Sequence, residues 1–237
     1  MKENGLKSFY STMIAPCPYV AGRGESKLAV DISGAFSQSW NNVLSRAGFR
    51  RSHGVCYIPA CPDCDECVSV RIPVADFLPS KKMRKVLRLN QDATVAFTPN
   101  IATTEQYALF SDYLESRHAK SDMTEMYFEE FRAMIEDSCV DSAMMEVREN
   151  AVLQAAMLVD VLDDGLSAVY SFFNPEQSRR SPGTFMILKL IEEARKIGLP
   201  YVYLGYWIKS VSNMAYKAKF QPLEYFADGK WIRSFPE

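Results

Sequence analysis

Three strand-like runs, Ser142–Arg148, Ala151–Asp160 and Leu166–Phe173, follow one another with little between them. Glu149-Asn150 and Asp163-Asp-Gly165 stand at the joints, residue types that accept the tight backbone of a turn. Such a meander commits the centre of the chain to an antiparallel sheet. Its surroundings narrow the choice further. Ala93–Thr98 alternates as a strand before it. Thr103, with Gln106 three residues on, opens a helix running to about Ala119, and Thr124 opens a second through Asp137. After the meander, Gly183–Ile197 reads as a helix stopped by Gly198-Leu-Pro200. Then come a strand at Tyr201–Trp207, a helix around Met214, and a hairpin turned at Asp228-Gly229.

Strand, two helices, three-strand meander, helix, strand, helix, strand is the order of the GCN5-related N-acyltransferase (GNAT) fold. The expected class is α+β (α/β), with a mixed central sheet flanked by helices over residues 91–237. Residues 1–90 are punctuated irregularly by proline and glycine and read as a loop-rich domain with a helix near Phe36–Ala47. Lys81–Asn90 is a helical connector.

Charge is unevenly spread along a chain whose net charge is −2. Nine Arg/Lys oppose four Asp/Glu between Asn42 and Asn90, and four oppose twelve between Thr103 and Asn150. Lys81, Lys82, Arg84, Lys85 and Arg88 form a run without an anion. Either it is a solvated helix face or, with Arg46, Arg50 and Arg51, part of a surface for a polyanion. No apolar run approaches the ~20 residues of a membrane span, and Met1–Lys7 lacks the apolar core of a secretory leader. The expectation is a cytoplasmic protein with no membrane partner.

There are six cysteines, and Cys61, Cys64 and Cys67 stand in tandem C-x-x-C spacing. Thiolates so spaced suit a zinc ion or an iron–sulfur cluster, with Cys17 as fourth ligand and Cys56 or His53 as substitutes. They equally suit small reduced side chains packing a turn.

The strand Tyr201–Trp207 is dense in aromatics and precedes a helix bearing Tyr216, Lys217 and Lys219. Buried tyrosines need partners for their hydroxyls, so Tyr203, Tyr206 and Lys217 are candidates for a polar pocket floor. A coenzyme A acyltransferase would present Arg/Gln-x-x-Gly-x-Gly/Ala at the helix after the meander. Here Arg180-Ser-Pro-Gly183-Thr-Phe185 puts a benzyl group where a backbone must approach phosphate.

Ala47–Ser52, Tyr57–Cys67 with Val70-Arg71, Gly183-Thr184, Leu199–Ile208 and Met214–Glu224 together resemble the bacterial, leucyl branch of the arginyl-tRNA–protein transferase family. The resemblance runs from Phe9-Tyr10 to Trp231. It implies transfer of leucine from Leu-tRNA to the α-amine of proteins beginning with Asp or Glu, in an N-degron pathway that ends at a proteolytic adaptor. An arginyl donor, a CoA-dependent acetyltransferase and a non-catalytic tRNA-binding adaptor are the alternatives. Eukaryotic relatives carry Cys-Gly-Tyr-Cys near the N-terminus, where this chain has Cys17-Pro-Tyr-Val20 and so lacks the second thiol.

Aminolysis of an activated ester gains more from aligning two substrates than from a strong base, and no cofactor is required for it. The expected roles follow. Lys217 stabilises the oxyanion, and Tyr203, Tyr206 or Tyr170 relays the amine proton. Arg50, Arg51 and Arg71, with Tyr216 and Trp207, bind substrate, the arginines through the acceptor's carboxylate. Arg50 and Arg51 serve equally as phosphate ligands. Lys81, Lys82, Arg84, Lys85 and Arg88 hold tRNA phosphates.

Overall fold

A computed structural model describes residues 7–117 and 125–234. The expected helix end at Ala119 and helix start at Thr124 lie outside the described residues. The amino-terminal part holds strands β1 (Phe9–Ser11), β2 (Ala15–Pro16), β3 (Gly24–Glu25) and β4 (Lys27–Asp31), then helix α1 (Ser37–Arg46), β5 (Arg50–Ser52) and β6 (Val55–Pro59). Four of these strands form an antiparallel sheet in the order β1-β4-β6-β5. One face packs on α1 through Val30, Ile32, Leu44 and Cys56.

Next come β7 (Val68–Pro73) and helix α2 (Lys81–Leu89). Ser80 caps α2 by accepting from the Met83 amide. Beyond it lie β8 (Thr94–Pro99), α3 (Thr104–Arg117), α4 (Phe128–Glu136), β9 (Ser142–Glu149), β10 (Val152–Val161), β11 (Gly165–Phe173) and α5 (Pro182–Lys196). The chain continues through β12 (Tyr201–Trp207), the single turn α6 (Ser212–Ala215) running into a 3-10 turn at Tyr216–Lys219, and the hairpin β13 (Glu224–Ala227) and β14 (Lys230–Ile232). The capping box before α3 is formed in both directions, Thr103 N–H donating to Gln106 and Gln106 N–H to the Thr103 hydroxyl.

The large sheet runs β14-β13-β7-β12-β11-β10-β9-β8. Among the described residues only β11 and β12 are parallel neighbours. The expected boundary at Asn90 falls after a strand that this sheet uses near its middle. Every residue of β7 is buried, and its two edges are paired with β12 and β13. Its sequence, Val68-Ser-Val-Arg-Ile-Pro73, alternates: Val68, Val70 and Ile72 enter the main core, while Ser69 and Arg71 on the other face are covered and satisfied by the Gly48 carbonyl and by Glu224.

Two arginines expected at the substrate are structural. Arg51 forms a two-pronged pair with Asp160 of β10, at 2.7 and 2.5 Å, and donates to the His53 carbonyl. That pair fastens the small sheet to the large one with both side chains almost fully covered. Arg71 of β7 binds Glu224 of β13 at 2.8 Å and lies against Tyr201 and Trp231, 3.6 and 4.4 Å from their ring centres. Each guanidinium is thus already answered by a carboxylate of the protein, though Arg51 also lines the cavity described below. Asp160→Ala, which strands the Arg51 charge in the interior, is expected to cost about 3–5 kcal/mol, read as a lowered urea midpoint.

Candidate active site

Pairing between β11 and β12 stops early. Gly165, Leu166 and Ser167 match Tyr201, Val202 and Tyr203, and no pairing follows. A bulge in β12 between Tyr203 and Gly205 lies at the point of parting, with Gly205 at φ +69°. Two carbonyls at the gap are met by cations. Arg50 donates to Val169 of β11 at 2.8 Å, and Lys217 donates to Tyr206 of β12 at 2.5 Å. Arg50 crosses directly over Gly205, where a β-carbon would collide with the guanidinium. Its charge lies 5.7 Å from the centre of the Tyr206 ring.

A cavity of about 1040 Å³ opens at this parting. Arg50, Ser52, His53 and Tyr57 wall it from the small sheet and its β5–β6 turn, and Tyr19 from the loop after β2; Lys217, Tyr216, Asn213 and Ser212 wall it from the turn after β12. Gly183 and Thr184 at the start of α5 contribute, as do Tyr113 and Arg117 of α3, with Arg117 over the Phe173 ring. Met126, Ala133, Met134, Leu158 and Ile187 make its apolar part. Among the described lining residues Glu130 is the one carboxylate, and it accepts from the Tyr127 amide.

Of the described groups lining the cavity, Lys217 is the one drawn to neutrality. Burial first, and the nearby Arg50 second, pull its ammonium down to about 7. It is therefore poised to hold or release a proton at neutral pH. Tyr170 and Tyr216 also line the cavity; burial raises the Tyr170 phenol and pushes that of Tyr216 up to about 12.

The structure separates the expected tyrosines. The Tyr206 hydroxyl donates to the Tyr57 carbonyl, and burial raises its pKa, so Lys217 meets Tyr206 through the backbone and not the phenol. Tyr203 donates to Asp164 and accepts from Arg71, away from the cavity, its phenol likewise raised by burial. Trp207 is buried against Tyr225 and does not line the cavity. Lys81, Lys82, Arg84, Lys85 and Arg88 are all exposed, while Met83 turns inward. Tyr19, Tyr57, Tyr113 and Arg117 are additions that the sequence did not single out; Tyr57 does begin one of the family-like segments.

The four candidate metal cysteines share a neighbourhood. Burial, followed by Cys17, Cys61 and Cys64, pushes the Cys67 thiol up to about 12. Cys61 donates to the Ser26 carbonyl. Among the described residues no three potential ligands stand where they would hold an ion. As arranged, these thiols do not fit a zinc or iron–sulfur centre, and no step below passes through one.

Phe185, which breaks the coenzyme A loop pattern, is buried in the core, and Arg180 is paired with Asp92 and Glu149. The architecture is GNAT-like, a mixed central sheet flanked by helices. FemX is similar in fold, with a TM-score of 0.52 at 10% identity over 85% of this chain and 69% of that one. Residues 15–85 match the family described as arginine-tRNA-protein transferase, N terminus, and residues 105–227 its C terminus. The aspartate/glutamate leucyltransferase of Paramagnetospirillum magneticum is 48% identical over 229 residues, 96% of this chain and 94% of that protein. The one from Gluconacetobacter diazotrophicus is 51% identical over 224 residues, 94% of this chain and 86% of that protein. The chain belongs to the arginine-tRNA-protein transferase family and is a transferase of that family. Its substrates are accordingly a tRNA-borne aminoacyl group and a protein. No helix of the described residues is long and apolar enough to cross a membrane.

Gly205→Ala is expected to displace Arg50 and lower both the transfer rate and the melting temperature. Adding Arg50→Ala should return part of the lost stability by removing the collision, without returning activity. Thermal unfolding and single-turnover assays of the three variants check this.

Proposed function

We propose that this enzyme transfers leucine from Leu-tRNA to the α-amine of proteins beginning with Asp or Glu. The carrying observation is the cavity's charge: Arg50, Arg117 and Lys217 face it against Glu130. Such a field attracts an acidic first residue and opposes an arginyl side chain. The apolar wall of Met126, Ala133, Met134 and Leu158 suits a leucyl group instead. The exposed cations of α2 would hold tRNA phosphates, and the product's new N-terminal leucine would be the mark read by a proteolytic adaptor.

In the reaction, the neutral α-amine attacks the ester carbonyl carbon. The new C–N bond forms, the C–O bond to the tRNA's terminal ribose breaks, and one proton passes from nitrogen to the departing oxygen. Lys217 is the proposed carrier of that proton. A group with its proton affinity near neutrality can accept from the ammonium and donate to the leaving group in one cycle. Its protonated form also offers a donor to the oxyanion.

Incubation with a Glu-initiated peptide is expected to give product from Leu-tRNA and none from Arg-tRNA or acetyl-CoA, and a Lys-initiated peptide none at all. Comparable transfer from Arg-tRNA would overturn the donor assignment. Binding of tRNA without turnover would leave only an adaptor.

Lys217→Met is expected to slow single-turnover transfer about a hundredfold or more. In the unaltered enzyme the neutral fraction of Lys217 grows through pH 7, so the rate should rise between pH 6 and 8 with a midpoint of about 7. In the variant the remaining limb should follow the acceptor amine, near ~8. The stability sign is opposite. A lysine whose folded proton affinity is depressed costs stability increasingly as pH falls from its unfolded value of 10.5 to about 7. Lys217→Met should therefore melt higher than the unaltered enzyme at neutral pH.

A further inference from the structure

The small sheet has two unlike faces. Phe9, Val30 and Cys56 belong to the covered face, with Phe9 against Phe49 and the other two on α1. The register fixes what shares the other face. Tyr10 pairs with Ala29, Ala29 with Tyr57, and Tyr57 with Arg50, so these four form one row across β1, β4, β6 and β5. The row begins at the edge strand with Tyr10, 48% exposed, passes the small, buried Ala29, and ends at the cavity with Tyr57 and Arg50. Lys27 lies 5.2 Å above the Tyr57 ring on the same face and shares its charge with Glu25. Tyr19, 40% exposed, stands beside Tyr57 at the cavity wall.

We propose that this face is the track along which the unpaired 3′ end of the tRNA enters the cavity, with Tyr10 and Tyr57 as base-stacking rings. The inference rests on the tRNA-dependent reading above. A transferase must deliver the last nucleotide of a long RNA to the floor of a pocket, and single strands are held by aromatic rings interleaved with cations. A β-sheet face carrying exposed aromatics is a recurrent platform for unpaired nucleotides. Neighbouring strands lie about 4.8 Å apart, so Tyr10 and Tyr57, two strands apart, are about 10 Å distant at the backbone and within the reach of consecutive bases. The row leads from the edge strand toward the cavity that Lys217 lines. The acceptor peptide is the competing occupant.

The test compares binding of deacylated tRNA, intact or lacking its unpaired 3′ nucleotides, to the unaltered full chain, Tyr10→Ala and Tyr10→Phe. Tyr10→Ala should weaken binding of intact tRNA about five- to a hundredfold and leave the shortened tRNA unaffected. Tyr10→Phe should stay near the unaltered protein, since the ring and not the hydroxyl does the stacking. An equal loss on both tRNAs, no loss on either, or a raised KM for the peptide with tRNA binding intact would overturn the proposal. Deacylated tRNA keeps the donor amino acid out of the comparison. Failure of the unaltered chain to bind any tRNA would instead overturn the tRNA-dependent reading, and this inference with it. Thermal unfolding guards against misfolding, which an exposed edge residue is not expected to cause.

Discussion

The parting of β11 from β12 is the event on which the site depends. Two parallel strands that stop pairing inside a protein release backbone groups that cannot be left without partners. Here carbonyls at the gap are met by Arg50 from one side and Lys217 from the other. The same two side chains bring positive charge to the cavity floor. Their repulsion, added to burial, is what leaves Lys217 close to losing its proton. Opening the sheet and making a usable amine are thus one arrangement, and Gly205 permits it by having no side chain where Arg50 crosses.

Three arginines of the amino-terminal half look alike as letters but have different duties. Arg51 and Arg71 each face a carboxylate from a distant strand, Asp160 and Glu224, and act as internal fasteners. Arg50 is bound to carbonyls and an aromatic face, which leave its charge uncancelled at the cavity. The distinction rests on partners more than a hundred positions away in the chain. It also explains how a protein of nearly balanced charge can hold a cationic pocket: the anions are spent elsewhere, in fasteners and on the helices flanking the sheet.

Local order was legible in the residues. The meander, the capping box at Thr103 and the strand Tyr201–Trp207 all follow from alternation, turn chemistry and caps, and the structure has them within a residue or two. The placement of Lys217 in the cavity was legible too, as a lysine one connector beyond an aromatic strand. The company it keeps was not. Beyond the bulge, pairing with Arg71 and Ser69 places both Tyr203 and Tyr206 on one face of β12, turned toward partners from the small sheet, Asp164 and β7. A bulge changes facing by one residue and leaves no mark in composition. Likewise β7 has the letters of a buried strand, but nothing local says that its neighbours lie near positions 201 and 224.

That position of β7 bears on how the chain is made. The strand leaves the ribosome with the amino-terminal half, yet both its partners follow much later, β12 beginning at Tyr201 and β13 at Glu224. At synthesis rates of about 5–20 residues per second, the strand waits roughly ten seconds for the first neighbour that pairs with it. Contacts so distant in sequence are slow to form even in a finished chain. The amino-terminal segment is thus a unit of sequence but not of folding. Val68–Pro73 meets its neighbours in the sheet when nearly the last residues have emerged.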